Sequence, residues 1–329
     1  AATAGRSFWI LDDLSPLKEA LNIKGLHIVK PKKAYRLFSG KTAKGSAQGT
    51  NPVSGIYLDY YLPKKVDSLM LKIEILENDE VIRTYASDKP KDFVSWPGGP
   101  SQEIILPHKE GHNRVHWDFR RASIPAVDKV FVYGSYAGSR VAPGNFKARL
   151  SYGEVQKETQ ITLLPNPNIE ATTSDFDAQQ KLLIKIDSAL YNIHSSVNQM
   201  RTVQSQLQFY IKTLKGNQAY APLIKKAKAI EKKLVDWEIN LIQPNQKTFQ
   251  DVINFNNKLN AEWMYLKGFV DSEFPKLTQG SKDRFKDLLA KWKIHQKELT
   301  VLIENEFSAF ETLFKSMEVP ALLIPELID

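Results

Sequence analysis

Three histidines, His108, His112 and His116, recur at intervals of four, the spacing that would align imidazoles on one helix face for a metal ion. Gly111 interrupts that stretch and residues 113–119 alternate as a strand does, so the interval has no helical meaning and no metal site is expected. Gly40-Lys41-Thr42 carries the ending of a phosphate-binding loop, but the motif needs a further glycine at position 35, where Tyr35 stands. Glycoside hydrolysis needs two carboxylates about 5–10 Å apart across a cleft. Asp12 and Asp13 are consecutive and would point to opposite faces of a strand, while Glu77, Asp79 and Glu80 share a turn. There is no Gly-x-Ser-x-Gly and no cysteine nucleophile. No catalytic residue and no cofactor is therefore expected. Exposed aromatics are the better lead. Tyr57 and Tyr61 fall on the outer face of a strand, and Trp96 stands in a Trp-Pro-Gly-Gly-Pro loop. Such rings can stack on sugars; the plainer reading is that they pack against the helical domain or a domain lying upstream.

The elements that would position these residues divide the chain in two. Its 329 residues suit two or three domains. A hydrophobic share of 42% with 25% charged residues is ordinary for a folded protein. No apolar run approaches the ~18 residues of a membrane span. The net charge of +8 is spread along the chain, without the basic stripe and interleaved aromatics that nucleic acid would require. Lys225, Lys226, Lys228, Lys232 and Lys233 read as the solvated face of a helix.

Residues 26–164 alternate with period two. Ile56, Leu58, Tyr60 and Leu62 share one face against Tyr57, Asp59 and Tyr61; Leu69, Leu71, Ile73 and Ile75 repeat the pattern. Val115, Trp117 and Phe119 form another inward face, as do Phe146, Ala148, Leu150 and Tyr152. Short alternating strands without an intervening helical period predict an antiparallel β-sandwich. Residues 165–173, opening on Pro165-Asn166-Pro167-Asn168, predict a hinge.

Residues 174–329 predict helices. Ser174 with Asp177 has capping-box spacing. Leu183, Ile186, Leu190, Ile193, Val197, Met200, Leu207 and Ile211 make the first seam. A second carries Leu223, Ala227, Ile230, Leu234, Trp237 and Leu241, and a third Leu259, Trp263, Leu266 and Val270. The fourth carries Phe285, Leu289, Trp292, Leu299, Ile303, Phe310 and Met317. Narrow 3-4 seams predict an antiparallel four-helix bundle, with Leu322, Leu323 and Ile324 of the tail folded back on it.

Residues 1–25 predict a strand, Phe8-Trp9-Ile10-Leu11, apolar on both faces, followed by a linker. Such a strand is expected to be buried and to have closed a sheet lying upstream. Gly5-Arg6, Phe8-Trp9-Ile10-Leu11 and Asp12-Asp13 resemble the closing propeller strand of bacterial sortilin-like BNR-repeat proteins, which are often labelled glycosyl hydrolases. Residues 73–84, Ile-Glu-Ile-Leu-Glu-Asn-Asp-Glu-Val-Ile-Arg-Thr, look like the strand-turn-strand of FlgD-type immunoglobulin-like modules, with Glu80 at the usual turn glycine. Gly111 to Arg120 and Ala142-Pro143-Gly144-Asn145-Phe146 are similar to two further stretches of that module, and residues 248–260 to the helical tail that follows it. The resemblance implies a multi-domain α and β chain: the end of a propeller, an immunoglobulin-like β-sandwich, then a helical bundle. It further implies an exported protein in which this region is non-catalytic and meets the upstream propeller, or a protein or glycan ligand. An accessory carbohydrate-binding role using Tyr57, Tyr61 and Trp96 is the alternative.

Overall fold

The computed structural model describes residues 13–38, 54–64, 69–88 and 93–320. The opening strand, the Gly40-Lys41-Thr42 stretch and the tail residues Leu322 to Ile324 lie outside them. The protein is mixed α and β, with two largely antiparallel sheets followed by several helices.

After a short helix α1 (Ser15–Ala20) come β1 (His27–Ile28), β2 (Ala34–Tyr35), β3 (Ile56–Leu62), β4 (Leu71–Glu77), β5 (Glu80–Ala86), β6 (Gly111–Trp117), β7 (Gly144–Tyr152) and β8 (Val155–Leu164). One sheet is ordered β1-β3-β6, the other β2-β8-β7-β4-β5. Both contribute to one core. Leu58, Tyr60, Val115 and Trp117 come from the first, Ile73, Ile75, Phe146, Leu150 and Ile161 from the second. At its centre Trp117 meets Phe119 and Phe146 edge-on, at 5.4 and 5.3 Å between ring centroids. The hairpin between β4 and β5 turns through Asn78 and Asp79, both at positive φ (51° and 65°). These residue types tolerate the left-handed region, so Glu80 needs no special backbone and pairs with Glu77. One pairing departs from the antiparallel expectation. Pro31 cannot continue the ladder beyond β1, and the chain passes to the other sheet, where β2 adds to the edge of β8 in parallel.

The helices follow: α2 (Thr173–Thr213), α3 (Ala221–Leu241), α4 (Leu259–Val270), α5 (Gln279–Val301) and α6 (Ser308–Ser316). The first spans about 60 Å at 1.5 Å per residue. Its cap is Thr172 with Asp175, not Ser174 with Asp177, because Thr172 is the last residue with extended backbone (φ −95°, ψ 162°). The seam residues of α2, α3 and α4 are buried as their spacing predicts, Ile211 only in part. The fourth seam is not continuous. A π-helical turn over Leu302–Phe307 separates α5 from α6, and the extra residue displaces the seam within that turn. Ile303 consequently faces solvent while Phe307 and Phe310 pack toward the core. In α5 it is Leu288, rather than Leu289, that is fully buried.

The two parts are not separated by a bare hinge. The β6–β7 connection leaves the sheets at Arg120 and returns at Arg140, which pair across its neck. It has no regular secondary structure, yet Ile124, Val127, Val130, Val132 and Tyr136 enter the helical core. Along α2, His194, Asn198 and Arg201 donate to the loop carbonyls of Pro125 (2.7 Å), Ala126 (2.8 Å) and Asp128 (2.8 Å). A buried carbonyl left without a donor costs roughly 1–3 kcal/mol, so this ladder is what makes an irregular buried loop tolerable.

His194 is fully buried, and burial pushes its pKa down to about 4 from 6.5. The folded protein thus holds a neutral imidazole donating through Nδ1 to Pro125. Between pH 6.5 and 4 the unfolded chain binds the extra proton, so stability is complete above about 6.5 and declines on acidification through that window. Denaturant midpoints taken from pH 7 to 4.5 are expected to report a loss of about 2 kcal/mol attributable to this group. In His194→Gln that part of the pH slope should be missing.

Candidate functional site

Charged and exposed aromatic side chains come together where the β6–β7 loop meets α4. Here a cleft of about 590 Å³ is lined by Arg120, Arg140, Lys267 and Asp271 below and by Tyr133, Phe249, Tyr265 and Phe269 at the mouth. That volume lies within the usual range for small-molecule sites.

The charged wall is assembled from the loop neck and the end of α4. Asp271 caps α4 through its amide, which donates to the Lys267 carbonyl at 2.8 Å. Its carboxylate accepts from Arg120 Nη1 at 2.7 Å, from the Arg140 amide at 3.3 Å and from Arg140 Nη1 at 3.4 Å. Arg120 Nη1 also donates to the Gly138 carbonyl at 2.7 Å. Lys267, one helical turn before Asp271, is buried against Asp187 of α2 at 3.1 Å and donates to the Ala137 carbonyl. Burial lowers the pKa of Lys267, with Asp187 opposing. Burial also lowers Arg140, reinforced by the neighbouring Arg120. Behind this wall Arg36, held by the Val141 carbonyl (2.9 Å) and Gln179 (3.1 Å), is pushed down to about 10 by burial. The guanidinium of Arg140 stacks on Phe38 at 3.8 Å from its centroid. Among the described residues, Nη2 of Arg120 and Nε and Nη2 of Arg140 have no hydrogen-bond acceptor, and none of these atoms is sealed from solvent.

The aromatic mouth is held by packing. Phe249, on a 3-10 turn (Phe249–Ile253), meets Phe131 and Tyr133 edge-on at 5.1 and 5.4 Å. Gly134 lies so close to Met264 that a Cβ there would stand 2.8 Å from its sulfur. Even so, Tyr133 (60%), Phe249 (63%), Tyr265 (79%) and Phe269 (58%) remain widely exposed.

The residues singled out by sequence lie elsewhere and apart. Tyr57, Asp59 and Tyr61 of β3 stand opposite His116, Arg114 and His112 of β6 on the outer face of the smaller sheet. Asp59 receives Arg114 through two bonds of 2.8 and 3.0 Å, and His112 at 2.6 Å. Tyr57 carries the Arg114 guanidinium over its ring at 4.9 Å and His116 beside it. Tyr61 leans on His112 and donates its hydroxyl to the Pro16 carbonyl of α1 at 2.8 Å. Both rings are thus partly covered from within the chain. Trp96 donates to the Val130 carbonyl at 2.9 Å and lies against Gly99, while Gly98 packs on Phe131. It supports the loop that carries Tyr133 and does not join the two tyrosines. Among the described residues no cluster of histidine, aspartate and glutamate could hold a metal ion, and no helix is long and apolar enough to cross a membrane.

Sequence reading missed the cleft because its parts come from positions 120–140, 249 and 264–271. One signal was available. Gln180, Asp187, His194 and Arg201 recur every seven residues on α2 beside the apolar seam, and all four bond to the strand half or its loop. A polar stripe keeping step with a seam marks a face packed against polar backbone.

No family model matches the chain, and no curated protein matches it. Among solved structures, a chain titled pT26-6p is 12% identical over 83% of this chain and 49% of its own length, with a TM-score of 0.13. This chain thus spans about half of that one, and a score at that level carries no argument about fold or function.

Asp271 is the shared counter-ion of the cleft wall. Asp271→Ala would leave Arg120 and Arg140 facing each other with their principal partner gone, and is expected to cost about 2–3 kcal/mol in urea unfolding. Asp79→Asn, which removes the charge of the exposed pair with Lys147 at 2.6 Å but keeps a residue type that tolerates the positive φ of the turn, should leave the midpoint unchanged.

Proposed function

We propose that this chain is a non-catalytic structural and interaction region of a large exported sortilin-like propeller protein. In this reading residues 26–164 are an immunoglobulin-like β-sandwich of FlgD type and residues 174–329 an antiparallel four-helix bundle. The motif resemblance at residues 5–13, 73–84, 111–120 and 142–150 supports the parentage, and two sheets sharing one core fit such a sandwich. The observation that carries the non-catalytic reading is the state of the carboxylates. In the cleft beside α4 Asp271 is held by two arginines, and on the sheet face Asp59 is held by Arg114 and His112. Glycoside hydrolysis needs a second carboxylate about 5–10 Å away across the cleft, and Asp271 is the one carboxylate among the described residues that line it. Partners in this reading are the upstream propeller and a protein or glycan ligand; nucleic acid has no basic stripe to follow.

A second reading, an accessory carbohydrate-binding module, is favoured by the four exposed rings around the cleft. Aromatic side chains that present a fixed face to solvent are the usual device for holding pyranose rings.

Purified chain incubated with plant and bacterial polysaccharides and with aryl glycosides is expected to release neither reducing ends nor aglycone. Release that disappears on substitution of a single Asp or Glu within the chain would overturn the non-catalytic reading.

A further inference from the structure

We propose that the cleft between the β6–β7 loop and α4 binds an acidic glycan, its carboxylate on the free Nε–Nη2 edge of Arg140 and on Nη2 of Arg120, and its sugar rings on Tyr265 and Phe269. This rests on the carbohydrate-binding reading and names its ligand class.

The acidic half of the assignment comes from unspent donors. Arg140 is mostly buried, stacked on Phe38 and tied to Asp271 through Nη1 alone. Its Nε and Nη2 therefore present a two-pronged edge, and Arg120 adds Nη2 beside it. Parallel N–H donors of this kind match a carboxylate in both spacing and charge. Because Asp271, Phe38 and the Gly138 carbonyl already fix both side chains, little side-chain freedom is left to lose when a ligand arrives.

The glycan half comes from the rims. Tyr265 and Phe269 stand one turn apart on α4 with their rings in solvent, and Phe249 and Tyr133 face them across the opening. Open platforms suit the flat CH faces of pyranoses. An apolar peptide side chain would need an enclosed pocket, and the four rings stand at the mouth instead. A nucleotide would share the stacking, but its phosphates favour a glycine-rich or helix-N-terminal cradle of amides, and the wall here is built of side chains.

The test titrates oligogalacturonate, a cello-oligosaccharide of equal length and adenosine monophosphate into the full chain by calorimetry, at low and high salt. The expected result is binding of oligogalacturonate that weakens with salt, and weaker or no binding of the neutral sugar. Tyr265→Ala and Phe269→Ala, both exposed enough to leave folding intact, should each weaken it by roughly fivefold. Arg140→Lys keeps the charge but removes the fork, and should erase the preference for the acidic chain; its folding is checked by its denaturant midpoint. Equal binding of both sugars, unchanged by Arg140→Lys, would overturn the acidic assignment and leave the carbohydrate-binding reading standing. No binding of either sugar would overturn both. Sugar binding lost in Tyr57→Ala or Tyr61→Ala, and kept in Tyr265→Ala, would place the site on the sheet face and overturn the inference. Tighter binding of the nucleotide would overturn the glycan assignment.

Discussion

Two arginines at the neck of one loop need a counter-charge, and Asp271 supplies it. Burying a guanidinium without a partner costs several kcal/mol, so Arg120 and Arg140 can close the β6–β7 loop only where a carboxylate meets them. That carboxylate stands at the C-terminus of α4, 131 residues beyond Arg140. The pairing therefore fixes where α4 ends relative to the sheets. Lys267, one turn earlier, extends the constraint to α2 through Asp187. Asp187 in turn accepts from the amide and hydroxyl of Ser139, at 3.0 and 2.6 Å, just inside the loop neck. Loop, α2 and α4 are locked by one continuous chain of charge-assisted bonds.

The apolar contacts alone could not impose that register. Ile124, Val127, Val130 and Val132 belong to the helical core, but hydrophobic burial is non-directional and would tolerate sliding along a 60 Å helix. Direction comes from the polar stripe. Gln180 receives the Ala142 amide, Asp187 receives Ser139, and His194, Asn198 and Arg201 hold the carbonyls of Pro125, Ala126 and Asp128. A slip of one turn would orphan several of these groups at once, each at about 1–3 kcal/mol. The burial supplies attraction and the ladder supplies position.

Much of the secondary structure was legible because its signal is periodic. Strands β3, β4, β6 and β7 and the seams of α2, α3 and α4 follow directly from period two and from 3-4 spacing. The parts that escaped have no period. The apolar residues of the β6–β7 loop fall at irregular intervals, as an unpatterned buried loop must. The π turn at Leu302–Phe307 adds one residue to a continuous helical pattern, and nothing in Leu-Ile-Glu-Asn-Glu-Phe announces it. At Thr172 versus Ser174, two cap-competent residues compete within one turn, and only the backbone dihedral at position 172 decides. The candidate site escaped for a different reason. Tyr57 and Tyr61 could be placed on a solvent face from alternation alone, whereas Tyr133, Phe249, Tyr265 and Phe269 are brought together only by tertiary packing.

That contrast bears on which aromatics are available to a partner. A ring on the outer face of a strand has cross-strand neighbours at about 5 Å by construction, and on β6 those neighbours are His116, Arg114 and His112. Tyr57 and Tyr61 are therefore engaged by the sheet that displays them. Tyr265 and Phe269 instead project from a helix whose other face is buried through Trp263, Leu266 and Val270, so nothing on α4 itself competes for their rings. Trp96, held at the Val130 carbonyl and stacked on Gly99, serves the opposite rim by stiffening the loop beneath Tyr133. Of the three aromatics visible in the sequence, two are partly covered by their own sheet, and the third acts as a buttress for rings the sequence did not single out.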